Sequence, residues 1–478
     1  MTEQNKQYPL TDVGNGLRFV DDYLEHVKWL PDEQEWRIWC GTHWEPHTKN
    51  EKAKSLAKKS AAKLYNDLAA ADPDSARARE LKAWVKQSNS NAGLNAAIEM
   101  AKADPRMWAR KTDFNRNPYL LNFLNGTVDL RTGSLMDHKP ADLVTTIVRH
   151  EFNPSAEAPM WDGLIRRCTQ VDETGETAAY LARVLGYMLV GHNKEQLIFF
   201  FIGPKRTGKS KILEIVARLV GNDYAWQSQS KLITRSRWNT HHDSETYSLI
   251  GKRFVYVAET DAGMQLDETQ LKNLTGSSQQ TVRALYKAGE EQTPTTWTII
   301  IGTNEEPHSE RWDEAVARRV VEIPSGPSLE PSEVDLELDE KILQQEAEGV
   351  LASLVAGAVD WHKERERSGG SGLPMPAAVK RATQGLEQRN DHVAEFVHNR
   401  LLVGVGLKVA PKHVHEAFRD RRGPEAIGSH TLYARILEHF EACGDCNAHV
   451  TKDTRWFHGI QLKPEQSSIP NLAFEPQN

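Results

Sequence analysis

The chain has 478 residues, of which 39% are hydrophobic and 26% are charged, and its formal net charge is −7. This length excludes one ordinary domain and predicts about two to four. The negative net charge does not by itself favour nucleic-acid binding. It does not exclude such binding, because 59 Lys and Arg residues suffice for a local basic surface.

Cysteine content and hydropathy limit the cellular compartments in which we expect the protein. Four cysteines (Cys40, Cys168, Cys443 and Cys446) are too few for a disulfide framework, which favours a reducing environment. No apolar run reaches transmembrane length, and the first residues lack the apolar core of a signal peptide. We therefore expect a soluble cytoplasmic protein that does not associate with membranes.

The first 190 residues alternate between strand and helix patterns. The predicted elements are tryptophan-rich antiparallel strands within 14–47, a long helix over 48–70, helical structure over 75–111, a strand and hairpin within 118–135, and a helical stretch over 161–190. In the long helix, Leu56, Leu64 and Leu68 form a stripe for burial. Its lysines are interpreted as a solvated face.

The most informative stretch begins with an unbroken apolar run, Leu197–Ile202, which predicts a strand covered on both faces. The next eight residues match the phosphate-binding pattern G-x-x-x-x-G-K-[ST]. They are Gly203, Pro204, Lys205, Arg206, Thr207, Gly208, Lys209 and Ser210. An apolar-periodic segment, 211–220, follows and predicts a helix that ends at Gly221.

Strand, glycine loop and helix form the arrangement that phosphate binding requires. Backbone N–H groups of the loop and the helix N-terminus both attract anions. Lys209 is predicted to reach the β- and γ-phosphates, and the Ser210 hydroxyl is predicted to hold magnesium. The sequence therefore predicts an ATP and Mg²⁺ site.

Two later strands end in polar side chains. The apolar segment 254–260 ends in Glu259; we expect this strand to lie beside the strand of the phosphate loop and its acid to act on magnesium and the attacking water. A short helix is predicted over 266–276. A hairpin then leads into a strand that ends at Asn304, a candidate γ-phosphate sensor. Arg318 and Arg319 precede a fourth strand over 320–324.

The last third is predicted to hold an acidic segment over 327–348 and a helix from Ile342 to Trp361. Gly369–Gly372 is the clearest linker. Three helices and a strand-turn-strand follow, which is the outline of a winged-helix domain. Cys443 and Cys446 form a single CxxC pair, which is weak evidence for zinc, and we predict no zinc site there.

In order and type, these motifs resemble the phage and plasmid primase-helicases. The motor of that family is a superfamily 3 helicase domain of the AAA+ class, and the poxvirus primase-helicase is a member. The matching segments are Asn125–Gly133, Gly203–Ser210, Glu259–Thr260, Leu271–Gly276, Gly302–Asn304 and Ala317–Arg319.

The resemblance implies a multi-domain α/β protein with an AAA+ P-loop core. The predicted boundaries are 1–155 for an α+β N-terminal region, 156–368 for the motor with a helical lid, 369–390 for a linker and 391–478 for a winged helix. It implies an ATP-dependent DNA helicase that forms a hexameric ring, translocates on single-stranded and forked DNA, and replicates a phage, plasmid or integrated element in a bacterial cytoplasm.

Residue roles follow from the same resemblance. Lys209, Glu259 and Asn304 are expected to be catalytic, and Ser210 and Glu259 are expected to hold Mg²⁺. Arg318 or Arg319 is expected to act as an arginine finger toward a neighbouring subunit, while the other caps the strand. The hairpin residues Arg283, Tyr286 and Lys287 are expected to grip DNA.

The sequence departs from the family in having one acid, Glu259, where some ATPases carry two, with Asp261 nearby. The first 190 residues have no cluster of metal-binding acids, so any primase is expected to be a separate partner, as is any replication-initiation protein. Two other classes compete with the helicase. One is an ATP-assembled DNA-binding or origin-recognition scaffold without strand separation. The other is a small-molecule P-loop kinase, which lacks an evident substrate lid here.

Overall fold

The fold is taken from a computed structural model that describes residues 7–235, 242–258, 264–276, 279–283, 290–309, 312–422, 428–442 and 450–464. The N-terminal part contains α1 (Asp12–Tyr23), β1 (Val27–Leu30), β2 (Glu35–Trp39), β3 (Trp44–His47), α2 (Glu51–Ala62), α3 (Leu64–Ala70), α4 (Ala76–Ser88), α5 (Asn91–Lys102), β4 (Leu120–Phe123), β5 (Gly126–Asp129) and β6 (Ser134–Met136).

The central part contains α6 (Pro159–Cys168), α7 (Glu176–Tyr187), β7 (Ile198–Ile202), α8 (Lys209–Val220), β8 (Ala225–Gln227), α9 (His242–Ser248), β9 (Phe254–Val257), α10 (Glu268–Gly276), β10 (Gln279–Arg283), β11 (Glu290–Pro294), β12 (Thr298–Thr303), α11 (Glu314–Ala317), β13 (Val320–Pro324), α12 (Leu338–Gln345) and α13 (Ala347–Ser368). The C-terminal part contains α14 (Ala377–Asn390), α15 (His392–Arg400), β14 (Leu401–Val409), α16 (Pro411–Arg422), α17 (Ser429–Ala442), β15 (Thr451–Lys452) and β16 (Phe457–Leu462). None of the described helices has the length and apolar content that crossing a membrane requires.

The tryptophan-rich segment forms the predicted antiparallel strands. Trp29 lies opposite Trp36 across β1 and β2, with ring centroids 4.9 Å apart. Both rings are buried with Phe19 of α1 and Ile98 of α5. Cross-strand aromatic pairs of this kind stabilise short sheets, so these tryptophans pack a core and do not form an exposed stacking platform.

The long helix predicted over 48–70 is wrong in one respect, because the chain forms two helices, α2 and α3. At Lys63 the amide donates to the carbonyl of Ser60, a tighter turn that interrupts the α-helical hydrogen bonds. The buried stripe of α2 is made of Ala53, Ala57 and Ala61, whereas of the predicted leucines only Leu64 is fully buried.

The helical stretch predicted over 161–190 is likewise two helices, α6 and α7. The carboxylate of Asp172 accepts from the amides of Glu176 and Thr177, both at 3.1 Å. An acid that satisfies the free N–H groups of a first turn starts a new helix. Gly175, with φ of +73°, supplies the left-handed residue before it.

The central sheet has five parallel strands in the order β13-β7-β12-β9-β8. The predicted apolar strand, β7, is buried along its whole length. One expectation fails here: the strand leading to Glu259, β9, was expected beside β7, and β12 lies between them. The strand that ends near Asn304 is therefore the direct neighbour of the phosphate loop.

The hydrophobic core around the central sheet reaches across the predicted domain boundary at residue 155. Leu121, Phe123 and Val128 of β4 and β5 share one buried cluster with β7, α7 and α13. The amide of Asn122 donates to the Tyr224 hydroxyl at 3.2 Å, which joins the small sheet to the segment before β8. The small sheet β4-β5-β6 therefore packs as part of the central domain.

The segment predicted as a linker, 369–390, is only partly extended. Residues 377–390 form α14, which buries Val379 and Leu386 and packs on β13 through the Thr383 hydroxyl, which accepts from the amide of Glu322 at 3.0 Å. The three C-terminal helices, α15, α16 and α17, match the prediction. A long strand, β14, was not predicted; it pairs with β16, which also pairs with β15.

Candidate functional site

The phosphate-loop residues connect the carboxyl end of β7 to the N-terminus of α8, as predicted. Three of them have positive φ: Gly203 at +153°, Arg206 at +60° and Gly208 at +101°. Left-handed residues in a tight loop turn successive N–H groups toward one concave side, where they bind anions. α8 begins at Lys209, so its free N–H groups open onto the same concavity.

Glycine is required at position 203 because the segment after β13 passes against it. A Cβ there would lie 2.0 Å from the Ser325 hydroxyl oxygen. At Gly208 a Cβ would lie 2.8 Å from a methyl group of Leu164 in α6. The loop is thus held between α6 and the end of β13, and a side chain at either glycine would displace it.

The Lys209 ammonium lies folded back over its own loop. Its Nζ donates to the carbonyls of Gly203 and Pro204 at 2.8 and 2.7 Å. It also lies 3.2 Å from Oδ1 of Asn304. Burial lowers the pKa of this ammonium from its ordinary value. These three oxygens therefore hold the Lys209 ammonium at the place where it would contact phosphate oxygens.

Asn304 follows β12, and its contact with Lys209 joins two of the predicted site residues. Because the carboxyl ends of parallel neighbours meet at one edge of a sheet, β12 places Asn304 beside the loop without a long connection. The next residues are ordered by Thr303, whose hydroxyl donates to the Glu305 carbonyl at 2.9 Å.

The Ser210 hydroxyl donates to the carbonyl of Ala258 at 3.3 Å, which places it at the end of β9. Glu259 itself lies outside the described residues, as does Asp261. The described groups at this position, the Ser210 hydroxyl and the Ala258 carbonyl, both offer oxygen. Such a set suits Mg²⁺, which prefers oxygen ligands and substrate phosphates.

A buried floor lies under the loop. The Thr207 hydroxyl donates to the Pro204 carbonyl at 3.4 Å, and the Cys168 thiol lies close to Thr207 and Lys209. Burial raises the pKa of this thiol to about 12. Cys168 is therefore a neutral packing residue and not a nucleophile.

Sequence reasoning missed what the acidic segment does. The Ser328 hydroxyl donates to the Lys205 carbonyl at 2.8 Å, and the Leu329 amide donates to the Arg206 carbonyl at 3.1 Å. Further along, Asp339 pairs with Lys211 and Glu340 pairs with Arg218 at 2.6 Å. Residues 328–340 thus lie across the phosphate loop and α8 and bind both, and we call this segment the strap. The signal available in the sequence was the spacing of Lys211 and Arg218, which are seven positions apart and therefore lie on the same face of α8.

The arginine pair lies at the opposite edge of the sheet. The Ile198 amide donates to the Arg319 carbonyl at 2.8 Å, so these arginines flank the start of β7, whereas the phosphate loop follows its end. Five strand residues separate the two, about 16 Å. Neither arginine reaches the phosphate loop of its own chain.

The two arginines have different surroundings. Arg319 donates to the Ala315 carbonyl at 2.6 Å, and its guanidinium packs on Gly276. Arg318 is 68% exposed, and its ion pair with Glu314 is long, at 3.7 Å. Arg319 is therefore held in its own chain, and Arg318 projects outward.

The predicted DNA-gripping hairpin is present as two paired strands, with Arg283 of β10 opposite Glu290 of β11. Tyr286 and Lys287 lie outside the described residues, and their predicted role stays a prediction, as does that of the Arg283 side chain.

Comparisons with known proteins place two domains in the chain. Residues 16–170 match the family model "D5 N terminal like", and residues 201–319 match a family of unknown function, DUF5906. A protein of Acanthamoeba polyphaga mimivirus named "putative helicase" is 26% identical over 247 residues, which cover 50% of this chain and 25% of that protein. An African swine fever virus protein named "putative primase" is 25% identical over 194 residues, covering 39% of this chain and 20% of that protein.

The chain is thus distantly related to these viral proteins, and the match spans a quarter or less of their length. Among solved structures, two apo forms of the NrS-1 C-terminal region are similar. One has a TM-score of 0.38 at 16% identity, covering 66% of this chain and 78% of that one. The other has a TM-score of 0.39 at 14% identity, covering 69% and 88%.

Proposed function

We propose that the chain is an ATP-dependent DNA helicase with a superfamily 3 AAA+ motor, which translocates on single-stranded DNA during replication of a phage, plasmid or integrated element in a bacterial cytoplasm. The observation that carries the proposal is the Lys209–Asn304 contact across β7 and β12. It joins a phosphate-binding loop to a sensor position on the adjacent strand. The relation to viral proteins named as helicases and primases supports the same reading.

Each residue has a defined part in hydrolysis. Lys209 exchanges the carbonyls of Gly203 and Pro204 for β- and γ-phosphate oxygens. Ser210 and Glu259 would hold Mg²⁺, and the ion would supply charge neutralisation at the transferring phosphoryl group. Glu259 also polarises the attacking water, and Asn304, released by Lys209, contacts the γ-phosphate.

The remaining group comes from another subunit. Charge that builds on the γ-phosphoryl is stabilised by an arginine, and both candidates lie at the edge of the sheet away from their own loop. We assign the arginine finger to Arg318, because Arg319 is held by its own chain. A ring of identical subunits, a hexamer by family resemblance, supplies this geometry.

The flanking parts serve the motor. Residues 1–155 act as an N-terminal collar or DNA-loading region, of which β4-β5-β6 pack with the motor. Residues 156–368 form the motor and lid, and α14 with 369–376 joins it to a winged helix over 391–478. That unit binds DNA or a partner, such as a separate primase or replication-initiation protein. The hairpin between β10 and β11 grips the strand through Arg283, Tyr286 and Lys287.

A forked DNA substrate tests the proposal against the scaffold alternative. The helicase separates the labelled strand in the presence of ATP and magnesium, and the Lys209→Ala variant does not. If the wild-type protein assembled on DNA with ATP and hydrolysed it without releasing any strand, the scaffold would be the better account.

A further inference from the structure

A large cleft lies between the N-terminal strands and the edge of the central sheet opposite the phosphate loop. Its volume is about 1110 Å³. Its walls are β2 and β3, residues 111–118 and 145–149, the connection before β7, and the base of the β10–β11 hairpin at Gln292–Pro294. Pockets for drug-sized ligands run to about 1,000 Å³, so the cleft is large enough for a short segment of a polymer.

The lining is strongly basic. Six cations line the cleft, Arg37, Lys111, Arg116, Arg149, Lys194 and Lys252, against two acids, Glu45 and Asp223. Nearby acids outside the cleft compensate two of the cations, since Arg37 pairs with Glu35 and Arg116 with Asp113, both at 2.6 Å. With Lys111 left out, the other five lining cations still outnumber these four acids.

Arg149 and Lys194 carry most of the available charge. Both are exposed, and neither forms an ion pair with a carboxylate in the part of the chain that the structure describes. Among the described residues, the Lys194 ammonium donates to the Tyr119 hydroxyl at 3.2 Å and lies beside the ring of the same residue. Cations left without carboxylates on a concave wall create a field that attracts polyanions.

A buried cation lies behind this wall. Arg253, next to the lining residue Lys252, is 6% exposed. Its guanidinium donates to the Leu189 carbonyl at 2.8 Å and stacks on the Tyr224 ring, 5.0 Å from the centroid. No carboxylate pairs with it among the described residues, so its charge adds to the field in the cleft.

His192 of the wall does not add charge at neutral pH. Burial is the main cause that lowers the pKa of His192 to about 4, helped by Lys194 and other nearby cations. Burial likewise lowers the pKa of His43. His192 therefore offers a neutral hydrogen-bonding group beside the cations of the wall.

We propose that this cleft binds the phosphate backbone of single-stranded DNA and leads the strand to the base of the β10–β11 hairpin. The walls hold cations and polar groups with one aromatic ring, Phe114, which is almost fully buried. This composition fits backbone recognition without sequence preference, with few base-stacking contacts. This binding site is additional to the hairpin contacts of the proposed helicase. Only the statement that the strand continues to the hairpin rests on the proposed function.

The test is binding of a fluorescein-labelled oligothymidylate to the full chain without nucleotide, followed by anisotropy over a range of salt concentrations. The double variant Arg149→Ala/Lys194→Ala is expected to bind more weakly. Its plot of log K against log salt should be less steep by about 1.4 units, about 0.7 for each lost phosphate contact. The matched control Arg79→Ala/Lys82→Ala removes two exposed cations from α4 and is expected to match wild type.

Affinity and slope equal to wild type in the cleft variant would overturn the proposal. So would unchanged DNA binding with altered sedimentation, which would make the cleft a contact between subunits. If the alanine variant did not fold, Arg149→Gln/Lys194→Gln would replace it. Lys209→Ala separates this test from the proposed function, because it is expected to lose hydrolysis and keep nucleotide-free DNA binding.

Discussion

The two edges of the five-stranded sheet differ in chemistry although the same strands connect them. At the carboxyl edge, the loop after β7, Lys209 and Asn304 form a closed set of contacts strapped by the segment after β13. At the amino edge, cations such as Arg149 and Arg318 face outward. One edge has the geometry of a small-anion site, and the other carries exposed cations.

This difference indicates how the proposed motor would divide its work. A parallel sheet places every strand's carboxyl end on one side, so the nucleotide chemistry is confined there. The amino edge is left free for groups that must reach another chain or a polymer. Changes at the carboxyl edge should therefore act within one subunit, whereas changes at the amino edge should act on a neighbour or on DNA.

The largest expected effect separates Arg318 from Arg319. Arg318→Ala should lower the ATP hydrolysis rate by about 10³-fold, the low end for loss of an arginine finger. Arg319→Ala should act mainly on thermal stability, because it breaks the contacts with Ala315 and Gly276. Steady-state hydrolysis and thermal melts of both variants measure the difference.

Mixing subunits extends that test to the ring. Arg318→Ala subunits combined with Lys209→Ala subunits should regain activity, because one supplies an intact loop and the other an intact finger. A mixture that is as inactive as its components would place the complete site within one chain and remove the contrast between the edges.

The next effect lies at the carboxyl edge. Lys209→Ala should lower hydrolysis by about 10²–10³-fold, as expected for loss of a donor that faces developing charge. The matched control is Lys211→Ala, two residues along α8, whose ammonium pairs with Asp339 and not with the loop. It should retain most of the activity, as measured by phosphate release at saturating ATP. Comparable losses in both variants would mean that strapping of α8, and not phosphate contact, sets the rate.

The smallest expected effect is a pH dependence inside the sheet. Burial is the main cause that raises the pKa of Glu322 from 4.5 to about 7, with Arg389 opposing and Glu306 assisting the shift. The folded chain therefore holds a proton that the unfolded chain releases, and the free energy of unfolding falls as pH rises from 4.5 to about 7.

Glu322→Gln should remove that loss. The variant is expected to be more stable than wild type at pH 8 by about 1–3 kcal/mol and close to it at pH 4.5. Chemical denaturation at the two pH values measures this. An equal pH dependence in both proteins would show that other groups are responsible.

Much of the motor could be predicted from sequence because its signals are local. The apolar run before Gly203, the glycine spacing and the helix after Ser210 each specify one element, and the structure has all three. The tryptophan-rich strands were also correct, since alternation of Trp36 to Trp39 is a local pattern.

What could not be predicted depends on contacts distant in sequence. The order of strands, which places β12 between β7 and β9, is not encoded in any one segment. The strap from the acidic segment and the packing of α14 on β13 need partners more than sixty residues away. The helix break at Lys63 was missed because the leucine spacing continues across it. The break at Asp172 did have a local signal, the polar run 172–174 followed by Gly175, which the prediction passed over.

The most direct test of the division between the edges is ATP hydrolysis with and without single-stranded DNA, measured on wild type and Lys209→Ala. We predict that DNA accelerates hydrolysis by the wild type and that the variant stays near background in both conditions. No acceleration by DNA, together with wild-type rates in the variant, would contradict the account.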